Sequence, residues 1–310
     1  MFKNVKKVAK FLREVITEAL ADNIFKFSAS LAYYTILSIA PLLVILLTIS
    51  GTIWGKEAIS GELFHKLEGM VGPEIAGQIQ AAIQNIHLST DNIFANTIGI
   101  IMLFIGATGI FSEMQDSLNR IWGLRTKKRI KWWKFLLDRA ISFSLILSLG
   151  FVLIVSLLIN AIAISLSNKL GHIFGGTGQG FVFTIENIST FVFTVLFFAL
   201  VFKVLPDARV RYKDVIIGAV ITALLFFLGK FGIGYYLSKS KIASIYGAAG
   251  TIMIAMVWIY YSSAIFYFGA VFTRVYAYHF GGKILPNDYS VYIKTEEAPV
   301  AEAVLHSPEA

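Results

Sequence analysis

The sequence predicts an all-α, polytopic membrane protein with six transmembrane helices and an interfacial N-terminal amphipathic helix. Three observations support this fold class. Six apolar stretches each reach the roughly 20 residues that a helix needs to cross a bilayer core. Only 15% of the residues are charged and the mean hydropathy is +0.71, whereas soluble domains carry about 25% charged residues. Lys and Arg also alternate between the connecting segments. A large soluble helical bundle is the alternative, but soluble proteins rarely carry six such stretches.

The six predicted spans define a membrane domain over residues 28–282. Each span carries Leu, Ile, Val and Phe around nearly its whole circumference, which is typical of helices surrounded by lipid or by other helices. The polar segments between them are the predicted loops. The spans are predicted at residues 31–54, 93–112, 140–166, 181–205, 214–237 and 248–275.

The distribution of Lys and Arg predicts the orientation of these spans. The N-terminus, segments 113–139 and 203–213, and the chain from Arg274 onward hold 21 of the 27 Lys and Arg residues, and the other connections hold five. Because cytoplasmic loops carry the excess of Lys and Arg, we expect a multi-pass protein of the cell (inner) membrane with both termini cytoplasmic. The net charge of +8 is then a consequence of topology, and no nucleic-acid partner is expected.

Residues 1–27 predict an amphipathic helix on the cytoplasmic side. Apolar residues recur at helical spacing from Phe2 to Phe27, and Lys and Arg residues fall mostly between them. Such a helix lies in the membrane interface and is attracted to anionic lipid headgroups. Packing of the helix beneath the bundle is an equally good interpretation, and the two can coexist.

The first span begins with hydroxyl and tyrosine side chains. Tyr33 suits the membrane interface, where tyrosine is favoured. Pro41 removes one helix hydrogen bond and predicts a hinge or kink, for which Ser38 can compensate. A hydroxyl-rich inner half beside a kink fits a polar crevice, with Tyr33 and Ser38 as candidate substrate-binding residues. It fits simple helix packing equally well.

Polar side chains at membrane depth are the other candidate substrate-binding residues, since they are costly there and need partners. Lys230 lies within the fifth span, about seven residues or roughly 10 Å from its outer end. Glu186 lies near the outer end of the fourth span and could neutralise the charge of Lys230. Alternatively, Lys230 binds an anionic headgroup, or it is a structural or snorkelling lysine. Asn160 in the third span is either a ligand-binding residue or a helix–helix contact.

A polar cluster is predicted at the inner leaflet, after the second span. The 113/116 and 116/120 spacings place side chains on one helix face, and further charges are expected at the same depth. The same carboxylates could serve acid–base chemistry, but nothing places a nucleophile beside them, so an ion-pair network is favoured. Its predicted members are Glu113, Asp116, Asn119, Arg120, Asp138, Arg139, Asp214 and Arg274.

No catalytic residue, metal site or cofactor is predicted. The chain has no cysteine, which excludes disulfides and thiolate chemistry, and its five histidines show no metal-binding spacing. An enzyme is therefore not expected. Residues 283–310 lose the apolar pattern and are expected to form a cytoplasmic, largely disordered tail.

Four stretches resemble signatures of the YihY/BrkB family of membrane proteins, once called ribonuclease BN. The similarity covers about residues 20–278. The last stretch departs from the family pattern at Ala264, where glutamine is common, and at Val271, where glutamate is common. The four stretches are LAYYTILSIAPLL (31–43), FSEMQDSLNRIWG (111–123), DVIIGAVITALLFFLGK (214–230) and SIYGAAGTIMIAMVWIYYSSAIFYFGAVFTRVYA (244–277).

The resemblance implies a six-span inner-membrane protein with cytoplasmic termini. Relatives are linked to serum resistance and envelope lipid export, so the resemblance favours a transporter or flippase-like protein for a lipid or anionic amphiphile. In that function Lys230 and the basic segment 125–134 would bind lipid headgroups. The resemblance leaves open whether the protein forms a homo-oligomer. The alternatives are an envelope scaffold that docks partners through residues 120–134 and, less favoured, a membrane-associated ribonuclease.

Overall fold

The computed structural model describes residues 2–38, 109–127, 144, 178–239 and 248–293 of the chain. Helices form most of this part, and four short strands lie between or after them. The helices are α1 (Phe2–Ala21), α2 (24–38), α3 (109–121), α4 (Gly178–Val204), α5 (Tyr212–Lys239) and α6 (Ala248–Phe280). The strands are β1 (Leu124–Thr126), β2 (Ala208–Arg209), β3 (Leu285–Pro286) and β4 (Ser290–Tyr292).

Three of the described helices are long and apolar enough to cross a membrane. The qualifying stretches are Asn187–Val204 of α4, Tyr212–Ile233 of α5 and Ile252–Phe280 of α6. They overlap the predicted fourth, fifth and sixth spans. The first two predicted spans are described only at 31–38 and 109–112, which are helical, and the third only at residue 144.

The predicted N-terminal helix over residues 1–27 is divided in the structure. Helix α1 ends at Ala21, and α2 begins at residue 24 and enters the first predicted span. Asn23 lies between them with φ 56°, a left-handed conformation that asparagine tolerates better than most residues. Its side-chain amide donates to the carbonyl oxygen of Ala21 at 3.2 Å. The local backbone preference of one asparagine therefore ends α1 six residues earlier than the apolar pattern predicts.

Helix α5 packs between α4 and α6, and its contact with α6 depends on two reciprocal glycine–threonine pairs. A Cβ atom at Gly218 would overlap Thr273 Oγ1, and a Cβ atom at Gly269 would overlap Thr222 Oγ1. The two helices are antiparallel, because Gly218 pairs with Thr273 and Thr222 pairs with Gly269. Small residues of this kind let membrane helices approach closely, so this crossing fixes the α5–α6 geometry.

The first part of the tail, which is predicted to be largely disordered over residues 283–310, is ordered in the structure. Residues 283–293 are ordered, because β3 pairs antiparallel with β2 and β4 pairs antiparallel with β1. Backbone bonds from Lys127 to Tyr289 (3.0 Å) and from Ile293 to Gly123 (2.8 Å) extend the second pair. Residues 294–310 lie outside the described residues. The ordered part of the tail therefore joins β1, which follows α3, and β2, which lies between α4 and α5.

Candidate functional site

An open cleft of about 530 Å³ lies among α2, α3, α4, α5 and α6. Three of these helices are the candidate membrane spans, so the cleft is built into the apolar part of the molecule. Fifteen of the described residues line it, and none of these fifteen is charged. They are Leu31, Thr35, Ile110, Met114, Thr190, Phe193, Thr194, Phe197, Phe198, Phe226, Trp258, Ile259, Ser262, Ser263 and Phe266.

Aromatic rings form one wall of the cleft. Phe198 of α4 stacks with Phe266 of α6 at 6.2 Å between ring centroids, and it meets Phe226 of α5 edge-on at 6.0 Å. Trp258 contacts Phe226 in turn at 6.4 Å. Aromatic pairs at these spacings contribute beyond their buried area. The wall therefore joins all three candidate spans, and its apolar surface suits a hydrocarbon chain rather than a polar solute.

Five hydroxyl groups interrupt this apolar lining, and three of them are satisfied within their own helix. Thr35, Thr194 and Ser263 each donate to the carbonyl oxygen four residues earlier, at 2.7 Å. Outside the cleft the same bond is made by Ser28, Ser38, Thr222 and Thr273. Ser262 Oγ is different: it is buried and has no hydrogen-bond partner among the described residues.

A buried polar junction lies where the turn after α4 meets the end of α3. Asn119 Nδ2 donates to Asp207 Oδ2 at 3.2 Å, and the Asp207 backbone N–H donates to Asn119 Oδ1 at 2.8 Å. Ser290 Oγ of β4 donates to the Asp207 carbonyl oxygen at 2.6 Å. Because Asn119 and Asp207 are both buried, this reciprocal pair satisfies groups that would otherwise be costly. It ties α3, the α4–α5 turn and the tail together.

Arg274, near the C-terminal end of α6, forms a second polar junction. Its guanidinium lies 2.7 Å from Glu18 Oε2 and 2.8 Å from Asp22 Oδ2, and it also donates to the Ile121 carbonyl oxygen. Only 12% of the Arg274 side chain is exposed. Burial raises the pKa of the Asp22 carboxyl above its ordinary value, and the neighbouring Arg274 charge opposes this shift. Arg274 thus holds the α1–α2 turn and the end of α3 against α6.

The substrate-binding residues predicted from the sequence do not line the cleft in the described part. Tyr33 lies on α2 and is 54% exposed. Ser38 is buried and donates to the Tyr34 carbonyl oxygen at 2.8 Å, so its hydroxyl is already used. Lys230 is exposed on α5 beside exposed Phe231. The side chain of Glu186 lies outside the described residues, as do Asn160 and Pro41, and their predicted roles stay predictions.

The predicted inner-leaflet cluster is divided among separate junctions. Arg274 binds Glu18 and Asp22, and Asn119 binds Asp207, so the partners come from segments that the prediction did not include. Buried Asp214 accepts a bond from the Gly282 backbone N–H at 3.1 Å. Glu113 accepts a 3.4 Å bond from Ser117 Oγ, and Asp116 and Arg120 are exposed on α3. Asp138 and Arg139 lie outside the described residues.

Sequence reasoning missed Asp207 and Ser262. A signal existed for Asp207, because a carboxylate in the short turn between two apolar helices has few solvent-exposed alternatives and needs nearby donors. No sequence signal existed for Ser262, because the adjacent Ser263 is the same residue type in the same apolar stretch. In the described part of the chain, no group of three or more His, Cys, Asp or Glu residues could hold a metal ion.

The chain is similar to proteins that are themselves named only as membrane proteins. The family model described as "Virulence factor BrkB" matches residues 15–289. A "UPF0761 membrane protein" from Psychromonas ingrahamii is 31% identical over 87% of this chain and 88% of its own length. Those from Pseudoalteromonas atlantica and Vibrio vulnificus are 27% and 28% identical, over 86% and 85% of this chain and 85% and 81% of their own lengths. No solved structure matches the chain.

Proposed function

Since the chain belongs to the Virulence factor BrkB family of membrane proteins, we propose that it is a non-enzymatic transporter or flippase-like protein for a lipid or anionic amphiphile. The observation that carries this proposal is the aromatic-walled cleft of about 530 Å³ among helices that include three candidate spans, whose described lining residues are all uncharged. Apolar pockets of this size with a few polar groups are typical ligand sites. A ligand that enters it must bring a long apolar part.

The cleft is proposed to hold the apolar part of the ligand, while cations hold its headgroup elsewhere. Lys230 is exposed on α5 and is proposed to contact anionic headgroups at one membrane face. Arg125 and Lys127, the described cations of the basic segment 125–134, are exposed and are proposed to do so at the other. In this arrangement the charged headgroup stays outside the apolar cleft, where a charge without a partner would be costly.

Helix α1 is proposed to lie in the cytoplasmic membrane interface while it packs on α6. Phe11 packs against Phe272 and Phe280 of α6, whereas Val8, Leu12, Ile16 and Leu20 form a separate stripe that is 46–58% exposed. Lys6, Lys7, Lys10 and Arg13 are also exposed and suit anionic headgroups. In this placement α1 both lies in the membrane interface and packs against the helix bundle, which are the two interpretations of the N-terminal sequence.

Reconstituted protein tests the transport proposal. Wild-type protein in liposomes is expected to move a headgroup-labelled phospholipid between leaflets, measured as the fraction of label open to an impermeant quencher. Thr194→Trp fills the cleft and is expected to slow this movement about tenfold, a barrier increase of about 1.4 kcal/mol. Leu196→Trp is the matched control, because Leu196 lies on the same helix but is 52% exposed outside the cleft, and it is expected to retain the wild-type rate.

Two results would contradict this proposal. If wild-type liposomes move no more lipid than empty liposomes, the protein is not a lipid transporter, and the scaffold alternative gains support. If Thr194→Trp and Leu196→Trp slow movement equally, lipid passes elsewhere than through the cleft. Lys230→Met, tested in the same assay with anionic and zwitterionic lipids, is expected to slow only the anionic lipid.

The six-span topology with cytoplasmic termini is also proposed, and the cysteine-free chain makes it directly testable. Lys213→Cys and Lys241→Cys place single thiols just before and just after the predicted fifth span, residues 214–237. A membrane-impermeant maleimide is expected to label Lys241→Cys in intact cells and Lys213→Cys only after permeabilisation of the membrane. Labelling of both in intact cells, or the reverse pattern, would overturn this topology.

A further inference from the structure

The ordered part of the tail lies beside exposed cations of β1, β2 and the residue after β1. Lys127 Nζ donates to the Asp288 carbonyl oxygen at 2.7 Å, and Arg209 Nη2 lies 3.0 Å from Asp288 Oδ1. Arg125 lies directly opposite Val291 in the β1–β4 pair. Three exposed cations therefore meet one short segment of the tail, residues 283–293, whose sequence supplies a single carboxylate.

Two further cations extend this surface. A Cβ atom at Gly282 would overlap the Arg211 side chain, so Arg211 packs against the start of the tail, next to exposed Lys283. The carboxylates of Asp207 and Asp214 are close to the tail, but both are buried and accept hydrogen bonds within the fold. The described surface beside the tail therefore carries a clear excess of positive charge. We call it the basic face, and its exposed cations are Arg125, Lys127, Arg209, Arg211 and Lys283.

Two exposed aliphatic side chains lie on the same side of the β1–β4 pair as Arg125. Val291 is directly opposite Arg125, and residues opposite each other in an antiparallel pair share a face. Ile293 is two residues further along and shares that face as well. Both side chains are more than 40% exposed. A partner that covers this surface must therefore bring several carboxylates together with some apolar side chains.

The chain that follows Ile293 has this composition. Residues 294–310 carry four glutamates against one lysine, and three branched aliphatic residues lie among them. Their negative charge is complementary to the positive charge of the basic face. The glutamates are Glu296, Glu297, Glu302 and Glu309, the lysine is Lys294, and the aliphatic residues are Val300, Val304 and Leu305.

The tail also leaves the ordered structure within reach of these cations. The Ile293 backbone N–H donates to the Gly123 carbonyl oxygen at 2.8 Å, and Arg125 is two residues, or about 7 Å, further along that strand. Glu296 is three residues beyond Ile293, at most about 11 Å of extended chain, so it can reach Arg125. A ligand tethered this closely has an effective concentration in the millimolar range, which favours the tail over a separate acidic protein.

We propose that residues 294–310 dock on the basic face, where Glu296 and Glu297 pair with Arg125 and Lys127. The docked segment covers cations that the proposed function assigns to anionic headgroups, so the segment and the headgroups compete for them. The docking itself stands on the charges and positions of this surface, and only the competition rests on the proposed function. Because exposed ion pairs are individually weak and are screened by salt, the docking is expected to be reversible.

A spin label on the tail measures the docking directly. The chain has no cysteine, so Ala298→Cys gives one labelling position, next to Glu297, in the full-length protein. The labelled protein is placed in nanodiscs of zwitterionic phosphatidylcholine. At low salt the EPR spectrum is expected to contain an immobilised component. At about 1 M salt, where the Debye length is about 3 Å, this component is expected to fall roughly threefold.

Charge reversal locates the docking site. Arg125→Glu/Lys127→Glu in the labelled protein is expected to reduce the immobilised component as much as high salt does. Adding Glu296→Lys/Glu297→Lys restores opposite charges on the two partners and is expected to restore the component. Recovery of this kind requires that the two charged pairs face each other, and a general change in net charge would not produce it.

The matched control is Arg13→Glu/Lys26→Glu, which reverses two exposed cations of α1 and α2 outside the basic face. It is expected to leave the immobilised component unchanged. A label that is mobile at low salt would overturn the docking. An equal loss in the control, or no recovery after the charge exchange, would overturn the assignment of the tail to the basic face.

Competition with headgroups is measured separately. Adding phosphatidylglycerol to the nanodiscs is expected to lower the immobilised component. In the liposome assay, deletion of residues 294–310 is expected to speed the movement of the anionic lipid about threefold, the size of effect that one exposed ion pair can supply, and to leave the zwitterionic lipid unchanged. An immobilised component that persists in phosphatidylglycerol, or an anionic-lipid rate that is the same with and without the segment, would overturn the competition.

The two readouts separate this inference from the transport proposal. If the label responds to charge reversal as expected in a protein that moves no lipid between leaflets, the docking stands and transport is overturned. If lipid moves and Thr194→Trp slows it, but the label stays mobile, transport stands and the docking is overturned.

Discussion

Replacing Gly218 with alanine is expected to lower the free energy of unfolding by about 2 kcal/mol, within the range of overpacked cores. The added methyl group would overlap Thr273 Oγ1 on the facing helix. Thr273 is buried and β-branched, and its hydroxyl already donates to the Gly269 carbonyl oxygen at 2.7 Å. Since such a side chain is restricted to few rotamers, α5 and α6 must move apart. The loss is measured as a lower midpoint of thermal unfolding in detergent.

Gly232 provides the matched control on the same helix. A Cβ atom there meets nothing within 4 Å, so Gly232→Ala is expected to be neutral or slightly stabilising, because alanine favours helices over glycine by up to about 1 kcal/mol. The double variant Gly218→Ala/Thr273→Ala removes the overlapping hydroxyl and is expected to be less destabilised than the two single changes combined. Equal stability of Gly218→Ala and Gly232→Ala would show that the two helices do not meet at this crossing.

The helices were predictable from the sequence because their signal is local. Runs of apolar residues near the length of a bilayer core identify α4, α5 and α6 without any knowledge of their neighbours. Their ends were less predictable: α6 continues to Phe280 rather than ending at residue 275. The additional residues Tyr276, His279 and Phe280 pack on each other or on Phe11 of α1, a contact between distant segments that no local pattern reveals.

The candidate site was less predictable than the helices for the same reason. The sequence predicted that Asn119 and Arg274 lie at a similar depth, and Arg274 contacts the carbonyl oxygen of Ile121, two residues from Asn119. Their partners were not predictable, because Asn119 and Asp207 are 88 residues apart, and Arg274 and Glu18 are 256 residues apart. Spacing rules apply within a helix and cannot pair side chains across a fold. Ser262 differs from Ser263 only through the packing around it, which composition does not encode.

Arg274→Met is expected to destabilise the protein by about 3 kcal/mol, at the low end for breaking a buried ion pair. The change leaves the Asp22 carboxylate, whose side chain is only 20% exposed, and that of Glu18, which is 46% exposed, without their cation. It also removes the donor to the Ile121 carbonyl oxygen. Thermal unfolding in detergent measures the loss. Arg209→Met is the control, because its pair with Asp288 is 64% and 78% exposed and is expected to contribute little.

The pH dependence of this loss distinguishes an ionic role for Arg274 from simple packing. Burial already raises the pKa of folded Asp22 above 3.8, and removing Arg274 removes the charge that lowers it, so the pKa rises further. The folded state then binds more protons than the unfolded state between 3.8 and the raised value, and stability falls as pH increases through that window. The destabilisation of Arg274→Met should therefore grow from about pH 4 upward, and Asp22→Asn in the same background should remove most of this increase. A loss that is constant with pH would show that Arg274 supports the α1–α2 turn by packing alone.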